Sequence, residues 1–140
     1  MIVVGIDPGM NTGIAVWNTT TRQFDDIITV GIVAAMDYLN ELSFHRGIGL
    51  VVFEDARQRK WIPRERDIAQ MKGRAMGAGS VKRDCSIWEE WCTSRGVQFI
   101  ATKPRNGMTK LSDEAFRAIT GYDRRTNNHG RDAAMLVFQR

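Results

Sequence analysis

The chain has 140 residues, of which 43% are hydrophobic and 26% charged, and its formal net charge is +4. This length supports a single domain over residues 1–140 and excludes two domains that each have a sizeable core. With only 3 prolines, no signal-peptide pattern and no long apolar run, we expect an ordered cytoplasmic protein with no membrane association. The basic excess is consistent with a polyanionic partner but does not require one.

The first elements predict an antiparallel meander. Residues 2–7 (Ile-Val-Val-Gly-Ile-Asp) are an almost continuous apolar run followed by Pro8 and Gly9, which is typical of a strand covered on both faces and then a turn. Two more strands are predicted over residues 13–17 and 24–30. The three lie close enough in sequence to pair as antiparallel neighbours.

Helices and strands alternate in the rest of the chain. The hydrophobic pattern predicts helices over 33–44, 64–95 (with a break around 77–79), 112–119 and 128–139, and strands over 48–53 and 97–101. Helical crossovers make the first, fourth and fifth strands parallel. We therefore predict an α/β fold, a five-stranded mixed sheet with helices on both faces, in an order that resembles the RNase H-like fold.

Three acids occupy positions where a charged side chain is costly. Asp7 and Glu54 each end a strand predicted to be buried, and Asp132 shares a helix face with Met135 and Leu136. Side chains at the carboxyl ends of neighbouring parallel strands gather at one edge of the sheet. Three carboxylates that converge without a partner cation repel one another, which predicts a site for Mg²⁺ or Mn²⁺. Two such ions can activate a water and stabilise the leaving oxygen of a phosphodiester.

Each acid also has a plain structural interpretation. Asp7 can start a turn, Glu54 can pair with a nearby arginine, and Asp132 can be a helix N-terminal acid. Cys85 and Cys92 lie seven residues apart in a predicted helix, beyond disulfide reach, and we expect two buried thiols without a zinc site.

The segments around the acids resemble RuvC-type Holliday-junction resolvases. Residues 6–9 (Ile-Asp-Pro-Gly) with 12–15 (Thr-Gly-Ile-Ala) resemble the opening motif of that family, and the apolar strand ending at Glu54 resembles its second acidic motif. Residues 128–134 (Asn-His-Gly-Arg-Asp-Ala-Ala) resemble its final motif. The short chain is compatible with a phage-encoded member.

This resemblance implies a homodimer that cuts four-way DNA junctions symmetrically with Mg²⁺, as in DNA recombination and repair. The implied catalytic set is Asp7, Glu54, His129 and Asp132. Residue 129 lies one helical turn before Asp132 and is a candidate metal ligand or proton carrier.

Basic residues flank the predicted site. Those suited to phosphate contacts directly after the second acid are Arg57, Arg59, Lys60 and Arg64. Trp61 can stack on a base or anchor the loop to the core. Lys103 and Lys110 resemble the family's lysines near the scissile phosphate. A solvated basic loop is the plain alternative for Lys103 and Lys110, and a solvated helix start is the plain alternative for the basic residues after the second acid.

One departure from the family bears on the substrate. Family members often carry an aromatic residue shortly after the second acid, where this chain has residues 57–60 (Arg-Gln-Arg-Lys). We therefore expect activity on branched DNA in general, three-way junctions and flaps included. Two alternatives stay open: an RNase H-like nuclease that processes ribosomal RNA, and a non-catalytic protein that binds branched DNA.

Overall fold

The computed structural model describes residues 1–59, 68–105 and 110–140, and gives only the backbone for residues 68–76 and 78. The strands are β1 (Ile2–Asp7), β2 (Thr12–Asn18), β3 (Gln23–Val30), β4 (Leu50–Glu54) and β5 (Phe99–Thr102). The α-helices are α1 (Ile32–Arg46), α2 (Ile68–Arg95), α3 (Asp113–Thr120) and α4 (Asn128–Val137), and a short 3₁₀ turn spans Ala56–Gln58.

The strands form one mixed sheet in the order β3-β2-β1-β4-β5. The first three strands pair antiparallel, and β4 and β5 continue the sheet parallel to β1. Ile6 lies beside Phe53 in the β1–β4 pair, so the residues that follow them, Asp7 and Glu54, end neighbouring strands at the same edge. The predicted mixed sheet is confirmed.

Helices cover both faces of this sheet, as predicted. On one face α1 and α2 pack against Val4, Ile6 and Phe53 through residues that include Leu39 and Trp88. On the other face α3 and α4 complete a second core, which contains Val3, Val52, Phe116, Ala133 and Val137. Because alternate residues of β1 serve the two cores, this strand is apolar along nearly its whole length.

Helix α4 lies unusually close to the sheet because two strand residues have no side chain. A Cβ atom at Gly5 would collide with the backbone of Ala133, and one at Gly13 would collide with the backbone of His129. Gly13 pairs with Asp7 across β1 and β2. The glycine pattern of the strands therefore brings the start of α4 to the end of β1.

The continuity and the bounds of some elements differ from those predicted. The break around residues 77–79 is wrong, because α2 is continuous from Ile68 to Arg95. A glycine in a helix costs only about 1 kcal/mol relative to alanine, and the packed residues further along, such as Trp88, offset that cost. The strands predicted over 48–53 and 97–101 begin two residues later and end one later than expected. Cys85 and Cys92 are buried free thiols, as predicted.

None of the helices in the described part of the chain has a stretch long and apolar enough to cross a lipid bilayer.

Candidate active site

The three predicted acids line one cavity of about 790 Å³. Asp7 and Glu54 enter it from the ends of β1 and β4, and Asp132 enters it from α4, one turn after His129. Met135 and Leu136 line the same cavity, which agrees with the predicted shared helix face. The structure thus brings together all four residues of the expected catalytic set.

His129 and Asp7 are in direct contact across 122 positions of sequence. Nδ1 of the imidazole lies 3.0 Å from Oδ2 of the carboxylate, and the Asp7 side chain is only 22% exposed. Burial raises the pKa of the Asp7 carboxyl, the hydrogen bond with His129 opposes the rise, and the charges of Asp132 and Glu54 add to it. The pKa is raised on balance. A carboxylate in this setting is stabilised by a nearby cation.

Asp132 has a cationic partner that the sequence did not predict. Nζ of Lys110 donates a hydrogen bond to Oδ2 of Asp132 at 2.9 Å, and this contact raises the pKa of the lysine. The charges of Asp7 and Glu54 act on Lys110 in the same direction. The expectation that the carboxylates converge without a counter-cation is therefore wrong, because Lys110, from the segment before α3, is a counter-cation of Asp132.

The start of α4 is held by its cap as well as by the close approach to Gly13. The side chain of Asn127 accepts a hydrogen bond from the backbone N–H of Gly130, the standard arrangement of a helix N-cap. The same side chain accepts one at 2.6 Å from the hydroxyl of Thr29 at the end of β3. The cap therefore ties the helix that carries His129 and Asp132 directly to the sheet.

The predicted phosphate-binding residues fall into several environments. Arg59 and Lys110 line the cavity, whereas Lys103 is exposed and is not one of the lining residues. Three more predicted contacts lie outside the described residues: Lys60, Trp61 and Arg64. As DNA contacts, all of these residues stay predictions.

Arg57 belongs to an ion-pair network whose residues do not line the cavity. Its guanidinium makes two hydrogen bonds to the carboxylate of Asp55, at 2.8 and 3.0 Å, and one at 2.5 Å to Glu89 of α2. Its role as a phosphate contact stays a prediction, but in this structure its donors are directed at these two carboxylates and at Ser86.

The sequence pattern did not identify two residues of the site region. Asp55 follows Glu54 directly and is 4% exposed. Burial alone would raise the pKa of Asp55, but hydrogen bonds from the side chain and backbone of Arg57 lower it on balance. Arg131 lines the cavity and is only 8% exposed. The sequence does show two adjacent acids, Glu54 and Asp55, and an arginine within the final motif. Neither feature indicates that the side chain is buried.

The donor set has the chemistry of a site for a hard divalent cation. The carboxylate oxygens of Asp7, Glu54 and Asp132 suit Mg²⁺ or Mn²⁺. In residues 1–59, 68–105 and 110–140, however, no three histidine, cysteine, aspartate or glutamate side chains form a group already assembled to hold a metal ion. His129 and Lys110 instead contact oxygens of Asp7 and Asp132.

The sheet order, with helices on both faces, is that of an RNase H-like α/β fold. Within this class, the structure of Thermus thermophilus RuvC in complex with a Holliday junction substrate matches with a TM-score of 0.58 and 19% identity, covering 97% of this chain and 90% of that chain. A second T. thermophilus RuvC structure matches with a TM-score of 0.51 and 18% identity over the same shares of the two chains. No protein-family model and no curated protein matches. The chain has a RuvC-like fold, as the sequence motifs predicted.

Proposed function

We propose that this protein is a metal-dependent endonuclease that hydrolyses phosphodiesters of branched DNA, four-way junctions included. One observation carries the proposal: Asp7, Glu54, His129 and Asp132 line a single cavity although they come from two strand ends and a distant helix. The fold shared with RuvC, a protein seen in complex with a Holliday junction, supports a junction substrate.

In this proposal the carboxylates of Asp7, Glu54 and Asp132, with His129, hold Mg²⁺ or Mn²⁺, two ions when fully loaded. Ions bound there would activate a water and stabilise the leaving oxygen. Burial first, and then the charges of Asp132 and Glu54, raise the pKa of Asp7, which supports such a site because a cation stabilises the ionised carboxylate. His129 contacts Asp7 through Nδ1, which leaves Nε2 as the ring nitrogen that either binds a metal ion or transfers a proton.

The basic side chains around the cavity hold the DNA backbone. Arg59, Arg105 and Lys110 lie in the cavity wall, and Lys103 follows the end of β5 next to the strand that carries Glu54. Cations in this arrangement fix phosphates in register and carry little sequence preference.

The test is cleavage of a labelled substrate panel: a four-way junction, a three-way junction, a flap, a linear duplex and a structured RNA, each with Mg²⁺, with Mn²⁺ and with EDTA. The inactive comparison is Asp7→Asn, which we expect to abolish cutting and to leave binding intact or stronger, because one repulsive charge is removed. The matched control is Asp37→Asn, which removes the same charge from an exposed position of α1.

Cutting in EDTA, or parental activity of Asp7→Asn, would exclude the metal mechanism. Preferential cleavage of the RNA would instead favour the ribosomal-RNA-processing alternative. Tight binding of junctions without cleavage under any of the metal conditions would favour a non-catalytic binder.

A symmetric cut of a four-way junction needs two active sites, so we propose a homodimer. The exposed glycines of α2, Gly77 and Gly79, permit close approach of a second helix. Light scattering at concentrations where the protein cuts junctions measures the mass directly. We expect twice the chain mass, and a monomer under those conditions would contradict the proposed assembly.

A further inference from the structure

The contact between Lys110 and Asp132 occupies an oxygen that the proposed metal site needs. The distance from Nζ to Oδ2 is 2.9 Å, and the two side chains are 60% and 37% exposed. An ammonium group neutralises a carboxylate but cannot stand in for a metal ion that binds several carboxylates at once. The same oxygen of Asp132 therefore has two competing partners, one of which is part of the chain.

A buried arginine holds the backbone next to this lysine. Nε of Arg131 donates to the carbonyl of Leu111 at 2.9 Å, and Leu111 follows Lys110 directly. The remaining donors of the guanidinium bind the backbone carbonyl of Thr126 at 2.7 Å and the side chain of Asn128 at 2.7 Å. Arg131 stands immediately before Asp132, so one buried side chain joins the segment that carries Lys110 to the helix that carries its partner.

This anchoring distinguishes the pair from an ordinary surface ion pair. Two long exposed side chains lose conformational entropy when they pair, and such pairs contribute little to stability. Here the buried guanidinium has already fixed the backbone on both sides of the contact, and Asp7 and Glu54 add attraction for the ammonium. The lysine is thus directed at the acidic cavity by the fold.

We propose that Lys110 is a resident counterion of the acidic cavity, which a divalent cation must displace from Asp132 in order to bind. The inference rests on the proposed function, because it assumes that Asp132 is a metal ligand. In the metal-free protein the lysine offsets the repulsion among Asp132, Asp7 and Glu54. In the metal-bound protein the ion offsets this repulsion instead, and the ammonium group moves away from Asp132.

Replacement of the lysine should therefore have opposite effects on the two forms. Lys110→Gln leaves the carboxylates uncompensated, so the metal-free protein melts at a lower temperature than the parent in EDTA. The variant binds Mn²⁺ about three- to fivefold more tightly, the range expected for loss of a partly exposed ion pair. With saturating Mn²⁺ the difference in melting temperature shrinks.

The experiment is a titration with Mn²⁺ alone, without DNA, in which free Mn²⁺ is followed by electron paramagnetic resonance, together with thermal melts in EDTA and in Mn²⁺. The matched control is Lys103→Gln, which removes the same charge from an exposed residue at the same edge of the sheet, outside the cavity wall. We expect Lys103→Gln to change the Mn²⁺ affinity by less than twofold.

A second variant tests the part assigned to Arg131. Arg131→Lys keeps the charge but cannot make all of the same hydrogen bonds, so Lys110 should be held less firmly and Mn²⁺ should bind more tightly. In a Lys110→Gln background the same change should leave the affinity unaltered, because the competing cation is already absent. An equal effect in both backgrounds would show that Arg131 does not act through Lys110.

The outcomes separate this inference from the proposed function. A parent protein that binds no Mn²⁺ at millimolar concentrations overturns the metal site itself. A parent that binds Mn²⁺, with Lys110→Gln and Lys103→Gln indistinguishable in affinity and in melting temperature, overturns the counterion alone.

Discussion

Nδ1 of His129 lies 3.0 Å from Oδ2 of Asp7, so a side-chain hydrogen bond joins the end of β1 to the start of α4. Asp7 belongs to the opening motif and His129 to the closing one. The contact depends on Gly13, which pairs with Asp7 and leaves room for the backbone of His129. Histidine is the common proton carrier near neutral pH, and its partner here is a half-buried carboxylate.

His129→Ala should lower the cleavage rate by about 100-fold or more, the usual contribution of a positioned acid–base group. Single-turnover cleavage of a four-way junction at saturating metal measures the rate, and a parallel binding assay checks that DNA affinity is retained. His45→Ala is the matched control, because this histidine is exposed on α1 and contacts Glu41 and the ring of Phe44 on the same helix. If His129→Ala cleaved at the parental rate, His129 would have only a structural role at the start of α4.

Asp55 should make the protein sensitive to acid. Its carboxylate is buried, and the bonds from Arg57 hold its pKa below the ordinary value on balance. A lowered pKa in the folded state contributes stability above the unfolded value of about 3.9, and this contribution is lost as the pH falls through the folded pKa. Asp55→Asn should cost about 2 kcal/mol of unfolding free energy at neutral pH, since a buried charged hydrogen bond is weakened.

Urea unfolding at neutral pH and at a series of acidic values measures this contribution. The difference between Asp55→Asn and the parent should disappear as the acid limit is approached. Glu90→Gln, an exposed change on α2 beside the network residue Glu89, should have no such profile. A constant difference at every pH would mean that the effect comes from packing and not from the ion pair.

Much of the sheet and of the acid set could be predicted because both depend on local pattern. The apolar runs before Asp7 and Glu54 signal strands that are buried on both faces, and parallel pairing then places their ends together. The contacts that surround the acids depend on the tertiary fold. Arg57 and Glu89 are 32 residues apart and Lys110 and Asp132 are 22 apart, so no local periodicity links them.

In α2 the local sequence pattern predicted a break that tertiary packing prevents. Gly77 and Gly79 predicted a break, but the helix passes through both residues without interruption. Packing of the later turns through Trp88 and Trp91 stabilises the helix as a whole, and two glycines cost too little to end it.

Gly13, which allows α4 to approach the sheet closely, and Gly79, which lies at an open position of α2, can be distinguished by experiment. Gly13→Ala should destabilise the fold by about 1–3 kcal/mol, because the new methyl group forces the start of α4 away from the sheet. It should also reduce cleavage, since His129 moves away from Asp7. Gly79→Ala, where no described residue lies within 4 Å of the new Cβ, should instead stabilise the helix by about 0.5–1 kcal/mol.

Denaturant unfolding of both variants, together with cleavage rates, provides the comparison. Equal effects of the two substitutions would contradict the close approach between α4 and β2. Destabilisation by Gly79→Ala that depends on protein concentration would instead identify the glycine face as part of the homodimer contact.

The last prediction concerns the breadth of substrates and starts from Arg59, an exposed residue in the cavity wall. Phosphate contacts alone carry little selectivity, whereas junction centres are recognised by shape and by groups that unstack bases. Because residues 57–60 are rich in cations where RuvC-type resolvases often have an aromatic side chain, we expect the proposed nuclease to cleave three-way junctions and flaps as well as four-way junctions. Binding should weaken steeply as salt is raised.

Two substitutions distinguish the basic run from a stacking ring. Arg59→Glu should weaken binding to every branched form by a similar factor and flatten the salt dependence, because phosphate contacts are lost. Trp61→Ala should reduce cleavage of four-way junctions selectively if that ring stacks on a base at the junction centre. Binding and cleavage of the three branched forms, measured across a salt series for both variants, give the comparison. A parent that cuts only four-way junctions, with Trp61→Ala equal to it on every substrate, would refute this account of the segment after Glu54.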